Sequence, residues 1–284
     1  MCGIQNLNLV NKLDEAPVTK GCVIFAYDGA YPYLRIATRA AELVKHHLRI
    51  PVTLITDQEY ADPAFDQVIV HERTDPEQLR KFNGQLRPWH NQTRSTVYHL
   101  SPYDQTLLID ADYFVLNDEL KSMFDTDVDF ACYGKTMELS ERETLETRIG
   151  ETSIPMQWAT VIYFTKSELA EAVFDFMSYI KQHYEFYSLL YRFRNYEFRN
   201  DYALSIALQT LTGYNIGNYN QLPGSLLTAT EHVNLTQARN STLRYSYQIG
   251  PAAMVTAKVS AYSIHFLDKD QLLGLLDTWE YEKP

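Results

Sequence analysis

Leu107-Leu108-Ile109 runs into Asp110-Ala111-Asp112, and apolar residues resume at Tyr113-Phe114-Val115. A short, continuous apolar run of this kind reads as a buried strand. Two aspartates one residue apart at its end point to the same face of an extended chain. Burying both carboxylates unpaired is too costly, and each repels the other, so the pair calls for a positive charge between them. A hard divalent cation with oxygen ligands answers that need and can hold a diphosphate at the same time. Such an arrangement suits chemistry on a nucleotide-activated substrate.

Further residues have types that extend this chemistry. His265 lies in the strand-like stretch Ser263-Ile264-His265-Phe266-Leu267 and is a candidate third ligand, against the ordinary reading of a structural histidine. Neutral imidazole beside carboxylates favours Mn²⁺ over Mg²⁺, which prefers oxygen throughout. Lys269, four residues on, is either a solvated charge or a neutralising partner for a phosphate leaving group. Arg94, on a helix expected over 89–100, carries a fixed fork of donors suited to phosphate or sugar hydroxyls. Asn200-Asp201 opens another helix, expected over 198–211; the pair either caps it or places Asp201 beside a reacting sugar. Residues 179–198 interleave aromatics with Arg192 and Arg194, a pattern that fits packing or the stacking of sugars and bases.

Composition narrows the field. The 284 residues carry a net charge of −11, which argues against a broad phosphate-binding surface. Cys2, Cys22 and Cys132 form neither a metal-ligand spacing nor a disulfide framework, so a reducing, cytoplasmic setting is expected. No run of eighteen apolar residues predicts a membrane span, and the N-terminus lacks a signal-peptide pattern. The Asn-x-Ser/Thr triplets at Asn91, Asn234 and Asn240 are then chance matches. Met1-Cys2-Gly3-Ile4 resembles the start of amidotransferases with an N-terminal cysteine nucleophile, but Gln5-Asn6-Leu7-Asn8 does not continue that pattern.

The elements that would position these residues alternate. A leader over 1–20 precedes a strand at Cys22–Tyr27, a turn at Asp28–Pro32 and a helix over 33–47. Strands follow at Val52–Thr56, Val68–Val70, the Asp110 run, Val128–Tyr133 and Ala159–Phe164. Residues 137–150 read as a charged loop or exposed helix, 167–187 as a long helix, and 213–258 resist assignment. A late strand at 263–267 leads to a C-terminal helix. The expectation is a single α/β domain over 21–284, with a mostly parallel, Rossmann-like central sheet flanked by helices. Ligands bind beyond the carboxyl ends of such strands. Tyr27-Asp28, Asp57 and Asp110/Asp112 all fall there.

Over about residues 21–270 the pattern resembles the GT-A fold (nucleotide-diphospho-sugar transferase) glycosyltransferases. It is most similar to the family-8 group of glycogenin and the lipopolysaccharide galactosyltransferases. Leu108-Ile109-Asp110-Ala111-Asp112 resembles that family's metal motif, and Arg94 sits where an arginine meets the donor sugar. Ala26, Tyr27, Asp28 and Tyr31 match the position that holds the nucleotide base. Asn200 and Asp201 resemble the segment near the anomeric carbon, and His265 with Lys269 resembles the motif supplying a third metal ligand and a diphosphate contact. Two features depart from the family: Trp158-Ala159-Thr160 replaces Asn-Ala-Gly, with Gln157 as the substitute, and Asp270-Gln271 replaces Pro-Trp.

The resemblance implies a metal-dependent (Mn²⁺ or Mg²⁺), retaining transfer of a sugar from a nucleotide-diphosphate sugar. The acceptor is open between carbohydrate, protein and modified DNA base, and a homo-oligomer is open as well. One alternative is a phage-type DNA glycosyltransferase. Another is a sugar nucleotidyltransferase, against which Tyr27-Asp28-Gly29-Ala30-Tyr31 makes a poor phosphate loop. A third is a protein that binds the donor without turnover.

Overall fold

The computed structural model describes residues 18–72, 78–82, 85–89, 91–140, 147–150, 154–193, 197–215, 220–251 and 253–281, with backbone alone for 78–82, 85–89 and 91–92. Seven strands form the central sheet, in the order Asn220–Gln221, Phe130–Tyr133, Trp158–Thr165, Gln105–Asp110, Lys20–Phe25, Val52–Thr56 and Gln67–Val70. Four of its pairings are parallel. Trp158–Thr165 is the exception, running antiparallel to both its neighbours. The sheet is therefore mostly parallel, as expected, with one reversed strand beside the Asp110 strand.

Its strands are buried on both faces, which is why they read as unbroken apolar runs. Val52–Thr56 is buried throughout, and so are Thr106 to Ile109. The helix Tyr33–His47 covers one face with Leu34, Ile36, Ala37, Ala40, Ala41, Leu43 and Val44, the spacing that betrayed it in sequence. The first strand starts at Lys20, inside the expected leader. There Thr19 donates both its backbone N–H and its hydroxyl to Asp104 Oδ2, each at 2.8 Å, tying the chain to the start of the Asp110 strand. Residues 1–17, with Cys2 and the amidotransferase-like start, lie outside the described residues. Cys22 and Cys132 are buried free thiols.

A smaller sheet stands against the carboxyl ends of the first, in the order Tyr113–Phe114, Ile264–Phe266, Leu226–Ala229 and Thr136–Glu138. A third, antiparallel sheet runs Val233–Arg239, Thr242–Ile249 and Ala253–Ser260. Both draw on the stretch that sequence left unassigned, since their strands are short or half exposed and lack a long apolar run. Asn240, at φ +46°, takes the left-handed conformation that lets the first hairpin of the third sheet turn in two residues.

Three expectations change. The helix expected from 89 begins at Asn91 as a 3₁₀ turn to Thr96 and becomes α-helical only over Val97–Leu100. Hydroxyl side chains compete with the helical backbone here, and Thr96 Oγ1 donates to the Thr93 carbonyl at 2.7 Å. Trp89 belongs instead to a hairpin, Gln78–Phe82 with Gln85–Trp89, around an Asn83-Gly84 dipeptide whose sequence is a hairpin signal. The long helix over 167–187 is two, Glu168–Gln182 and Tyr184–Leu190, parted where His183 leaves helical geometry. The segment 137–150 is not wholly exposed: Glu138, Leu139 and Ser140 are buried. Among the described residues no helix is long and apolar enough to cross a membrane.

Candidate functional site

Asp110 closes the central strand opposite Phe25, so it emerges beside the loop that carries Ala26, Tyr27 and Asp28. Asp112 follows on the short link into Tyr113–Phe114. Its backbone carbonyl accepts from Phe266 N at 2.9 Å, and Tyr113 pairs with His265 across the strands. Those backbone contacts bring a residue from near the end of the chain onto the aspartates. His265 Nε2 lies 3.3 Å from Asp112 Oδ1 and 3.9 Å from Asp110 Oδ2.

One ligand atom from each of Asp110, Asp112 and His265 falls within 4.8 Å of the others. Two ligands on opposite sides of one ion stand about 4–5 Å apart, given bonds of roughly 2.0–2.6 Å. The donor set therefore fits a single Mn²⁺ or Mg²⁺ in spacing and in chemistry.

The positive charge that the sequence demanded between the carboxylates is also supplied by protein. Arg94 is 1% exposed, and its guanidinium donates to Asp110 Oδ1 at 2.6 Å and to the Thr160 carbonyl at 3.0 Å. Lys269 Nζ sits 2.5 Å from Asp112 Oδ2 and donates to the carbonyls of Phe266 and Leu267. Two carboxylates thus face two cations, one each. Burial pushes the Asp110 carboxyl above the ordinary carboxylate range; Arg94 opposes this, and the charges of Asp112 and Asp201 add to it. Burial works against the Asp112 charge too, but Lys269 and then His265 overcome it and hold that carboxyl well below its ordinary range. The two aspartates, alike in sequence, are electrostatically unlike.

The remaining predicted residues surround this centre. Asp201 lies near enough for its charge to act on Asp110. Its Oδ1 accepts from Ala159 N at 2.9 Å, and its Oδ2 faces Arg199 at 3.2 Å. The capping reading of Asn200-Asp201 is not what occurs. Arg199 occupies the cap position and makes no side-chain cap bond, while Asp201 lies in the first turn and reaches across to the Trp158 strand. Asn200 is buried beside it. Gln157 is 2% exposed, and its Oε1 accepts from Gln221 Nε2 at 3.2 Å and from the Cys132 thiol.

On the opposite flank, Ala26 and Tyr27 are buried, and Ala26 N donates to the Ile55 carbonyl. Asp28 Oδ1 accepts from Leu34 N at 2.8 Å, tying the loop to the start of its helix. Tyr31 donates its hydroxyl to Asp270 Oδ2 at 3.4 Å, which links this loop to the residue after Lys269. Gln221, which sequence did not single out, accepts from Gly134 N at 2.6 Å while holding Gln157. A Cβ at position 134 would stand 2.5 Å from the Gln221 amide oxygen, so glycine permits this approach. No signal announced Gln221, because its strand is two residues long.

No protein-family model matches the chain, and no curated protein matches it in sequence. Among solved structures it is similar to the glycosyltransferase GlyE of Streptococcus pneumoniae TIGR4, at 16% identity over 72% of this chain and 45% of that one, with a TM-score of 0.41. It is also similar to the galactosyltransferase LgtC in complex with donor and acceptor sugar analogs, at 16% identity over 66% and 70% of the two chains, TM-score 0.44. An active-site mutant of LgtC gives 15% identity over 71% and 72%, TM-score 0.46. The chain thus spans less than half the length of GlyE.

Proposed function

We propose that the protein is a metal-dependent glycosyltransferase that takes a sugar from a nucleotide-diphosphate donor and retains its anomeric configuration. The observation that carries this reading is the meeting of Asp110, Asp112 and His265, from distant segments of the chain, within the span of one divalent ion. A bound Mn²⁺ or Mg²⁺ supplies Lewis acidity to the diphosphate leaving group.

The chain's own residues do the rest. Arg94 fixes the orientation of Asp110 from behind, with one terminal nitrogen on that carboxylate and the other on the Thr160 carbonyl. Lys269 lies beside Asp112 and is the cation positioned to meet phosphate charge. Ala26, Tyr27, Asp28 and Tyr31 form the loop against which the nucleotide base would lie, held by the Asp28–Leu34 and Tyr31–Asp270 bonds. Asp201, with Asn200 and Gln157 near it, lies on the other flank, where the transferred sugar would sit. There its carboxylate offsets positive charge developing at the anomeric carbon.

The test is hydrolysis of a set of nucleotide-diphosphate sugars with and without Mn²⁺. The wild type should release nucleoside diphosphate from at least one donor in an EDTA-sensitive reaction, and Asp110→Ala and Asp112→Ala should abolish it. The anomeric proton coupling of the first-formed product reports retention. The absence of both binding and hydrolysis across all the donors would refute the assignment.

A further inference from the structure

The three-stranded antiparallel sheet treats its two edges differently. Along Val233–Arg239 the outer backbone groups meet partners. Gln271 Oε1 accepts from Leu235 N at 2.8 Å, and Gln271 Nε2 donates to the Val233 carbonyl at 2.9 Å. Arg239 bridges to Glu280, and a register shift between Leu235 and Gln237 interrupts the strand. Covered edges and bulges keep a sheet from pairing with foreign strands.

The opposite edge, Ala253–Ser260, has none of these devices. Its register with Thr242–Ile249 is unbroken over eight pairs, and it contains no proline. No strand among the described residues pairs with its outer side. Met254, Thr256, Lys258 and Ser260 are exposed, Met254 to 67%, while Val255, Ala257 and Val259 share a half-buried face. One hydrogen bond sets the phase of the backbone: Ala261 N donates to the Ser241 carbonyl at 2.8 Å. Backbone groups alternate sides along an antiparallel strand. Those of Val255, Ala257 and Val259 therefore face the sheet, and those of Met254, Thr256, Lys258 and Ser260 face outward.

This edge is complementary to itself. We propose that Ala253–Ser260 is a self-association edge, on which a second copy of this chain pairs antiparallel about a two-fold axis through Ala257. The two three-stranded sheets then join into one of six strands. In that register Thr256 lies opposite the partner's Lys258, and Met254 opposite the partner's Ser260. These residues and their two-fold mates exchange about eight backbone hydrogen bonds. On the half-buried face Val255 meets the partner's Val259, so apolar groups oppose apolar groups. The neighbouring registers are worse. One sets Lys258 against the partner's Lys258, a like-charge contact. The other carries Ser260 past the end of the partner's strand. A two-fold contact of this kind closes on itself and stops at the dimer. The inference goes beyond the transferase reading, and its test needs no substrate.

The full-length protein is examined by sedimentation velocity from about 1 to 200 µM, a range that brackets a micromolar dissociation constant. Hydrogen exchange is followed at both ends of that range. The wild type should pass from monomer to dimer, and the amides of Met254, Thr256, Lys258 and Ser260 should gain protection only as the dimer forms. Thr256→Pro removes an outward N–H, which an edge strand tolerates, and should leave a monomer with the wild-type far-ultraviolet spectrum. Two charge changes at the same position guard against misfolding of that variant, because they should act in opposite directions. Thr256→Glu, opposite the partner's Lys258, should tighten the dimer about fivefold, and Thr256→Lys should loosen it by about the same factor. A monomer at every concentration, a dimer indifferent to all three substitutions, or growth beyond the dimer would overturn the proposal. So would edge amides protected equally at both concentrations, which would mean that another segment of the same chain covers them.

Discussion

Asp110 and Asp112 show how far two identical side chains can diverge within a few ångströms. The Asp112 carboxyl sits well below its ordinary range because Lys269 and His265 outweigh its burial, whereas burial leaves Asp110 above that range. The signs follow from linkage. A lowered folded pKa gives Asp112 a stabilising contribution that is complete above the unfolded value of about 3.9 and is lost as pH falls through the folded value. The raised pKa of Asp110 works the other way, favouring the fold as that group takes up its proton. Asp112→Asn strands the buried Lys269 ammonium and should cost about 3 kcal/mol near neutral pH. The deficit should narrow as pH falls below the ordinary carboxylate range, measured by urea denaturation. A second outcome concerns geometry rather than charge. Arg94→Lys keeps the cation but cannot fork between Asp110 and the Thr160 carbonyl. Mn²⁺ affinity, titrated directly, should fall on the order of tenfold to a hundredfold, while the far-ultraviolet spectrum stays that of the wild type.

Helix starts separate stability from function at the scale of elements. Ser167 caps Glu168–Gln182 by accepting from Ala170 N, just past the end of the Trp158 strand that lies away from Asp110. Asp268 caps Lys269–Leu276 by accepting from Asp270 N and Gln271 N, and so fixes the residue that holds Asp112. Ser167→Ala and Asp268→Ala should each cost about 1 kcal/mol of stability. Only Asp268→Ala should also weaken nucleotide-diphosphate binding by calorimetry, because only that cap orients Lys269. The elements themselves were unequally legible. Val52–Thr56 and Trp158–Thr165 are buried end to end and stood out as apolar runs. Ala253–Ser260 is half exposed with alternating burial, and Asn220–Gln221 is two residues long, so neither leaves a strong pattern.

For the whole molecule, the balance of charge governs partners. The chain carries −11, yet at the candidate site Arg94 and Lys269 already match the two aspartates. A dication alone would meet a neutral cluster, and a diphosphate alone would meet an acidic protein. Together they compensate one another. Mn²⁺ with a nucleoside diphosphate should therefore raise the melting temperature by more than the sum of the two separate shifts. Saturation at a hundred times Kd corresponds to about 2.7 kcal/mol. Additive shifts would argue against a shared site. Unmodified duplex DNA should produce no shift at physiological salt.

What the sequence determined by itself was the local matter: the strand that ends in Asp110 and Asp112, the amphipathic helix behind it, and the residue types able to ligate a cation and meet phosphate. These follow from hydrophobic periodicity and side-chain chemistry, which a linear chain displays. Only the tertiary structure decided that His265 closes on residues more than 150 positions earlier. The same holds for Arg94 being buried behind Asp110 and for the antiparallel run of the Trp158 strand. The reason is physical. Strand order, register and the desolvation of charge arise between segments, so their energies exist only once distant parts of the chain are packed together.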